Sequence, residues 1–161
     1  MVTVGITVLL CLIFWGICFL GTGTDEKNLK NYASYPDDVQ DKIKSIPEYQ
    51  GRFQESSHKA AVFLSNLLLF LVVLFALGLF IRKKSFWHNF LALSVMGQGL
   101  NLFDLFVIDL LWWRNTKRIR FTKIPEKELY QNPRKHVEAF GRALVMYAIV
   151  ALVDGFLLTL F

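Results

Sequence analysis

The 161 residues contain no Gly-rich phosphate loop, no nucleophile elbow and no Ser/His/Asp order, so a nucleotide-driven motor is not expected in this chain. Histidine is sparse and scattered, at His58, His88 and His136, with no His-x-x-x-His or Cys-x-x-Cys pair, so no metal site and no cofactor is expected. Cysteine occurs only at Cys11 and Cys18. Seven residues of helix separate those two by about 10 Å, too far for them to bridge each other, which leaves packing as their role. No Lys or Arg precedes the first apolar run, and that run is longer than a secretory h-region. It is therefore expected to stay as a helix and not to be cleaved.

What the sequence has in plenty is apolar and aromatic residues, at 54% and 15%. They are gathered into four blocks, 2–20, 60–81, 86–113 and 139–161. Each is long enough to cross a hydrocarbon core of about 30 Å as a helix of roughly 20 residues. Because lipid offers no partner to a free backbone group, each block should be helical throughout. The expected fold class is all-α: a bundle of four transmembrane helices forming a single integral membrane domain over 1–161, with connections 21–59 and 114–138.

The cations set an expected orientation. Connection 21–59 holds six Lys or Arg and 114–138 holds eight, so 14 oppose the three of Arg82, Lys83 and Lys84. The positive-inside rule then puts both long connections in the cytoplasm and both termini outside. The rival arrangement has the N-terminus inside and a re-entrant third segment broken at Gly97-Gln98-Gly99.

The stretch NLFDLFVIDLLWWRNTKRIR, from Asn101, sets two aspartates in an otherwise apolar run. A carboxylate at mid-membrane costs at least about 2.5 kcal/mol on insertion scales, so it needs a reason to be there. At 100° per residue Ser94, Gln98, Asn101, Asp104 and Asp109 fall within an arc of about 140°, a polar stripe for the bundle interior or a watery cleft. Asn66 and Asp154 are its candidate partners. Trp112 and Trp113 mark an exit at headgroup level. Steps of three and five residues between Asn101, Asp104 and Asp109 are unlike the fourfold steps of magnesium and diphosphate motifs in membrane prenyltransferases, and no second aspartate-rich motif appears.

In the first connection, Pro36 and Pro47 suit first helical positions, and Val39, Ile43 and Ile46 recur on one face. This predicts a short amphipathic helix for the membrane surface or a partner helix, or else one packed over the bundle ends. Asn132 and Pro133 should start the fourth helix ahead of its membrane portion. The basic run continues past the tryptophans, and Arg114, Lys117, Arg118, Arg120, Lys123, Arg134 and Lys135 suit anionic lipid headgroups, a phosphorylated lipid or an acidic partner. With no soluble recognition module, nucleic acid is not expected.

The segments YPDDVQ, GQGLNLFD, IDLLWWRNTKRIRF and KHVEAFGRAL together resemble a family of small uncharacterised multi-spanning proteins of Gram-positive bacteria, sometimes labelled ABC-transporter permeases. The resemblance implies a bacterial cytoplasmic membrane. It carries no residue roles, and no coupling motif here supports the permease label. Two functions are expected from different classes. One is a non-enzymatic accessory subunit or lipid or small-ligand binder, with membrane lipids, a membrane protein or a second copy of itself as partners. The other is a membrane-embedded enzyme or proton-coupled carrier working on a lipid-linked or small substrate through Asp104 or Asp109.

Overall fold

The computed structural model describes residues 2–54 and 59–161, so His58 lies outside the described residues. The chain is all-α. Its helices are α1 (Val2–Leu20), α2 (Asp25–Lys30), α3 (Asp37–Ser45), α4 (Lys59–Gly78), α5 (Phe86–Phe103) and α6 (Arg134–Leu157). Short 3₁₀ turns lie at Tyr32–Ser34, Pro47–Tyr49 and Lys127–Tyr130, and α5 continues as a π-helix over Asp104–Trp113. Four helical stretches, Val2–Leu20, Ala60–Gly78, Phe86–Trp113 and Lys127–Leu157, are long and apolar enough to cross a membrane. The third runs unbroken through Gly97 and Gly99, which leaves no re-entrant turn there.

Contacts divide the chain into two compact units, the first made of residues 1–12, 58–104 and 140–161, the second of 13–57 and 105–139.

In unit one, α4 leaves Leu68, Leu69 and Val72 more than half exposed, whereas Leu93 and Met96 on α5 and Val150 and Ala151 on α6 are fully buried. Small residues set how closely the helices approach. A Cβ on Gly155 would meet the backbone of Phe90 at 3.1 Å, and one on Gly97 would meet the Tyr147 ring at 2.7 Å. Asn89, buried before Phe90, ties down the turn ahead of α5: its Oδ1 accepts from Lys83 N and its Nδ2 donates to Lys83 O, both at 2.9 Å. That turn shortens the second span, since α4 ends at Gly78 and not at residue 81.

Unit two has an aromatic core of its own. Val39 and Ile43, the predicted amphipathic face of α3, are fully buried against Tyr35, Tyr49, Phe121 and Tyr130, among others. The face is therefore consumed inside the protein, and the expectation of a helix for the membrane surface is corrected. Pro36 stands just ahead of α3 at its cap, while Pro47 heads the following 3₁₀ turn.

Three tyrosines clamp the turn at 119–124. Tyr35 Oη donates to Ile119 O and Tyr130 Oη donates to Ile124 O, each at 2.8 Å. Tyr49 Oη donates to Asp25 Oδ2 at 2.5 Å, and the other oxygen of Asp25 accepts from Thr122 N. Burial pushes the Tyr35 hydroxyl well above its ordinary value. Burial, with the Asp25 carboxylate second, pushes Tyr49 to about 12, and burial takes Tyr130 to about 12. Ion pairs Lys42–Glu126 and Lys123–Glu48 link the carboxylate-rich first connection to the basic one.

Candidate functional site

The π-helix sets the site geometry. Its wider i→i+5 turns rotate less per residue than an α-helix, so 100° steps cease to place side chains beyond Phe103. The stripe is divided accordingly. In unit one, Gln98 Nε2 donates to Leu144 O at 3.0 Å, and Asn101 Nδ2 donates to Phe140 O at 3.4 Å. Ser94 and Asp104 are half-buried. Asn66 is exposed on α4, and Asp154 is buried with Oδ2 lacking a hydrogen-bond partner.

In unit two, Asp109 Oδ1 lies 2.9 Å from His136 Nδ1, the two side chains 14% and 8% exposed. The role expected of Asn66 or Asp154 thus falls, for Asp109, to a histidine in the first turn of α6. That turn begins where the sequence indicated, with Asn132 Oδ1 accepting from Arg134 N at 3.0 Å. The Trp113 ring meets His136 at 5.8 Å in an edge arrangement. Both the Trp113 indole N–H and the Arg114 Nε–H are buried without an acceptor. Buried idle donors are rare, because each forfeits its hydration, so a ligand or water with acceptor oxygens fits there.

The seven cations do not form one face. Arg118 turns inward: its Nη2 donates to Phe19 O and Thr22 O, both at 3.0 Å, and its guanidinium lies 3.8 Å from the centre of the Phe19 ring. It thereby adds donors to carbonyls at and just past the C-terminal end of α1, where a positive charge is favoured. Lys123 pairs with Glu48, Arg134 with Glu138 and Lys135 with Asp37. Those lysines hold the carboxyls of Glu48 and Asp37 below the usual range, chiefly through the direct hydrogen bond. Arg114, Lys117 and Arg120 form no ion pair with a carboxylate among the described residues. Trp15, Phe19 and Trp112 cluster in unit two, with ring centroids 5.4 to 6.4 Å apart.

Among the described residues no group of three His, Cys, Asp or Glu could hold a metal ion. An open groove of about 280 Å³ in unit one, lined by Thr3, Val4, His88, Leu91, Ala92 and Val95, includes none of the stripe residues. Its one ring nitrogen near a partner, His88 Nε2, is held 3.2 Å from Ile81 O.

Fold and site define an all-α bundle with four helices long and apolar enough to cross a membrane. No protein-family model matches the chain, and no curated protein or solved structure does either.

Proposed function

We propose that the chain is a multi-pass protein of a bacterial cytoplasmic membrane, with both termini outside, that binds the phosphate of an anionic lipid headgroup through unit two. The observation that carries this reading is the pair of buried idle donors on Trp113 and Arg114, at the end of an apolar helix where aromatic rings favour headgroup level. Lys117 and Arg120 add cations that pair with no carboxylate among the described residues, and arginine's planar fork suits phosphate. Each nearby cation contributes on the order of 1 kcal/mol toward an anionic surface. Binding without catalysis suffices for an accessory or lipid-binding subunit. The test is retention of phosphatidylglycerol, read by native mass spectrometry. Replacing Arg114, Lys117 and Arg120 with glutamine should abolish it, and unchanged retention at low and high salt would reject the site.

A second reading, chemistry or proton transfer on a lipid-linked or small substrate, is favoured by the buried contact of Asp109 with His136. It assigns the working carboxylate to Asp109 in preference to Asp104. Loss of cellular function in Asp109→Asn with headgroup retention unchanged would favour this reading over simple binding.

A further inference from the structure

Resting on the headgroup reading, we infer that the Asp109–His136 pair makes phosphate binding by unit two proton-dependent, with Nε2 of His136 as the atom that meets the phosphate. His136 stands in the first turn of the 24-residue helix α6, where free backbone N–H groups already favour an anion. Asp109 holds Nδ1, which leaves Nε2 as the ring nitrogen outside that contact. His136 as a residue is 7% exposed, and Trp113, whose indole stands edge-on to the imidazole, is 6% exposed. A buried indole N–H without an acceptor therefore meets the imidazole beside the start of α6.

With two protons, the imidazolium donates Nδ1–H to Asp109 and offers Nε2–H to a phosphate oxygen. With one, Asp109 retains Nδ1–H and Nε2 presents a lone pair that repels that oxygen. Asp109 is the charged group held against the ring; Arg114 follows the π-helix in sequence, and at the start of α6 Arg134 pairs with Glu138 and Lys135 with Asp37 of α3. The phosphate could belong to a lipid or to a soluble ester, since both present the same oxygens.

Retention of phosphatidylglycerol is measured at about pH 5.5 and about pH 8, either side of the usual imidazole range. The probes are the full chain, His136→Gln, Asp109→Asn and the Arg114, Lys117 and Arg120 glutamine variant, each with and without glycerol phosphate as competitor. Retention by the unaltered protein should rise severalfold on acidification, His136→Gln should lose the rise and Asp109→Asn should blunt it. Displacement by glycerol phosphate assigns the site to soluble phosphate, and persistence assigns it to the lipid. Equal retention at both pH values in the unaltered protein overturns the inference without help from any variant. If the triple glutamine variant also loses retention, the headgroup reading stands while the histidine inference falls; if the unaltered protein retains nothing at either pH, both fall.

Discussion

Replacing Arg118 with methionine separates a structural cation from a lipid-facing one. Methionine keeps the apolar stem over Phe19 but removes two charge-assisted hydrogen bonds, to Phe19 O and Thr22 O, and the guanidinium on the ring. Hydrogen bonds to charged groups contribute about 1.5–3 kcal/mol each. The side chain is only half-buried and water can reach part of the freed carbonyl surface, so the expected loss is about 2–3 kcal/mol. For a chain of this length that lowers Tm by about 5–10 °C. Arg118→Lys keeps the charge without the fork and should recover about half. Tryptophan fluorescence in detergent would follow unfolding, with Trp15 and Trp112 reporting from the same cluster. An Arg118→Met protein as stable as the original, yet poorer in retained phosphatidylglycerol, would refute the inward placement and return Arg118 to the lipid surface.

Gly23→Ala should also destabilise, by about 1–2 kcal/mol, because Gly23 has φ 108° and its Cβ would meet the Arg118 guanidinium at 2.7 Å. A double-mutant cycle with Arg118→Met should show the two costs to be non-additive. Tyr49 is raised from 10.0 to about 12, so the stability its neutral form supplies is complete below pH 10 and is lost as pH rises through about 12. Melting curves against pH, with tyrosinate absorbance in parallel, should show Tyr49→Phe weakening that alkaline loss, and an unaltered profile would contradict it. Asp37→Ala should lower the melting temperature only marginally, since its pair with Lys135 is exposed on the carboxylate side. A larger loss in thermal melts would mean that α3 depends on that pair.

The four apolar stretches were legible because a hydrocarbon-spanning helix needs only length and composition, and the start of α6 was legible because Asn132 and Pro133 act locally. The core of unit two was not. Tyr35, Phe121 and Tyr130 are spread across two connections, Tyr35 standing 86 positions before Phe121 (121 − 35), and no periodicity links them. Asp109 illustrates the same limit: its polar character was evident, but the π-helix changes the angular step and its contact, His136, lies on another helix. The basic run was read correctly as charge, but pairing with Glu48 and Asp37 and the inward turn of Arg118 depend on the fold of the first connection.

Thiol labelling tests the proposed membrane arrangement most directly. Ser34 and Thr122 are exposed residues of one folded unit, held together through bonds such as Thr122 N to Asp25, so they must share a side. Cysteines placed at both positions, in a background lacking Cys11 and Cys18, should be shielded from an impermeant thiol reagent in intact cells and react once the membrane is opened. Labelling of both from outside would invert the orientation, and labelling of one alone would contradict the unit that brings the two connections together.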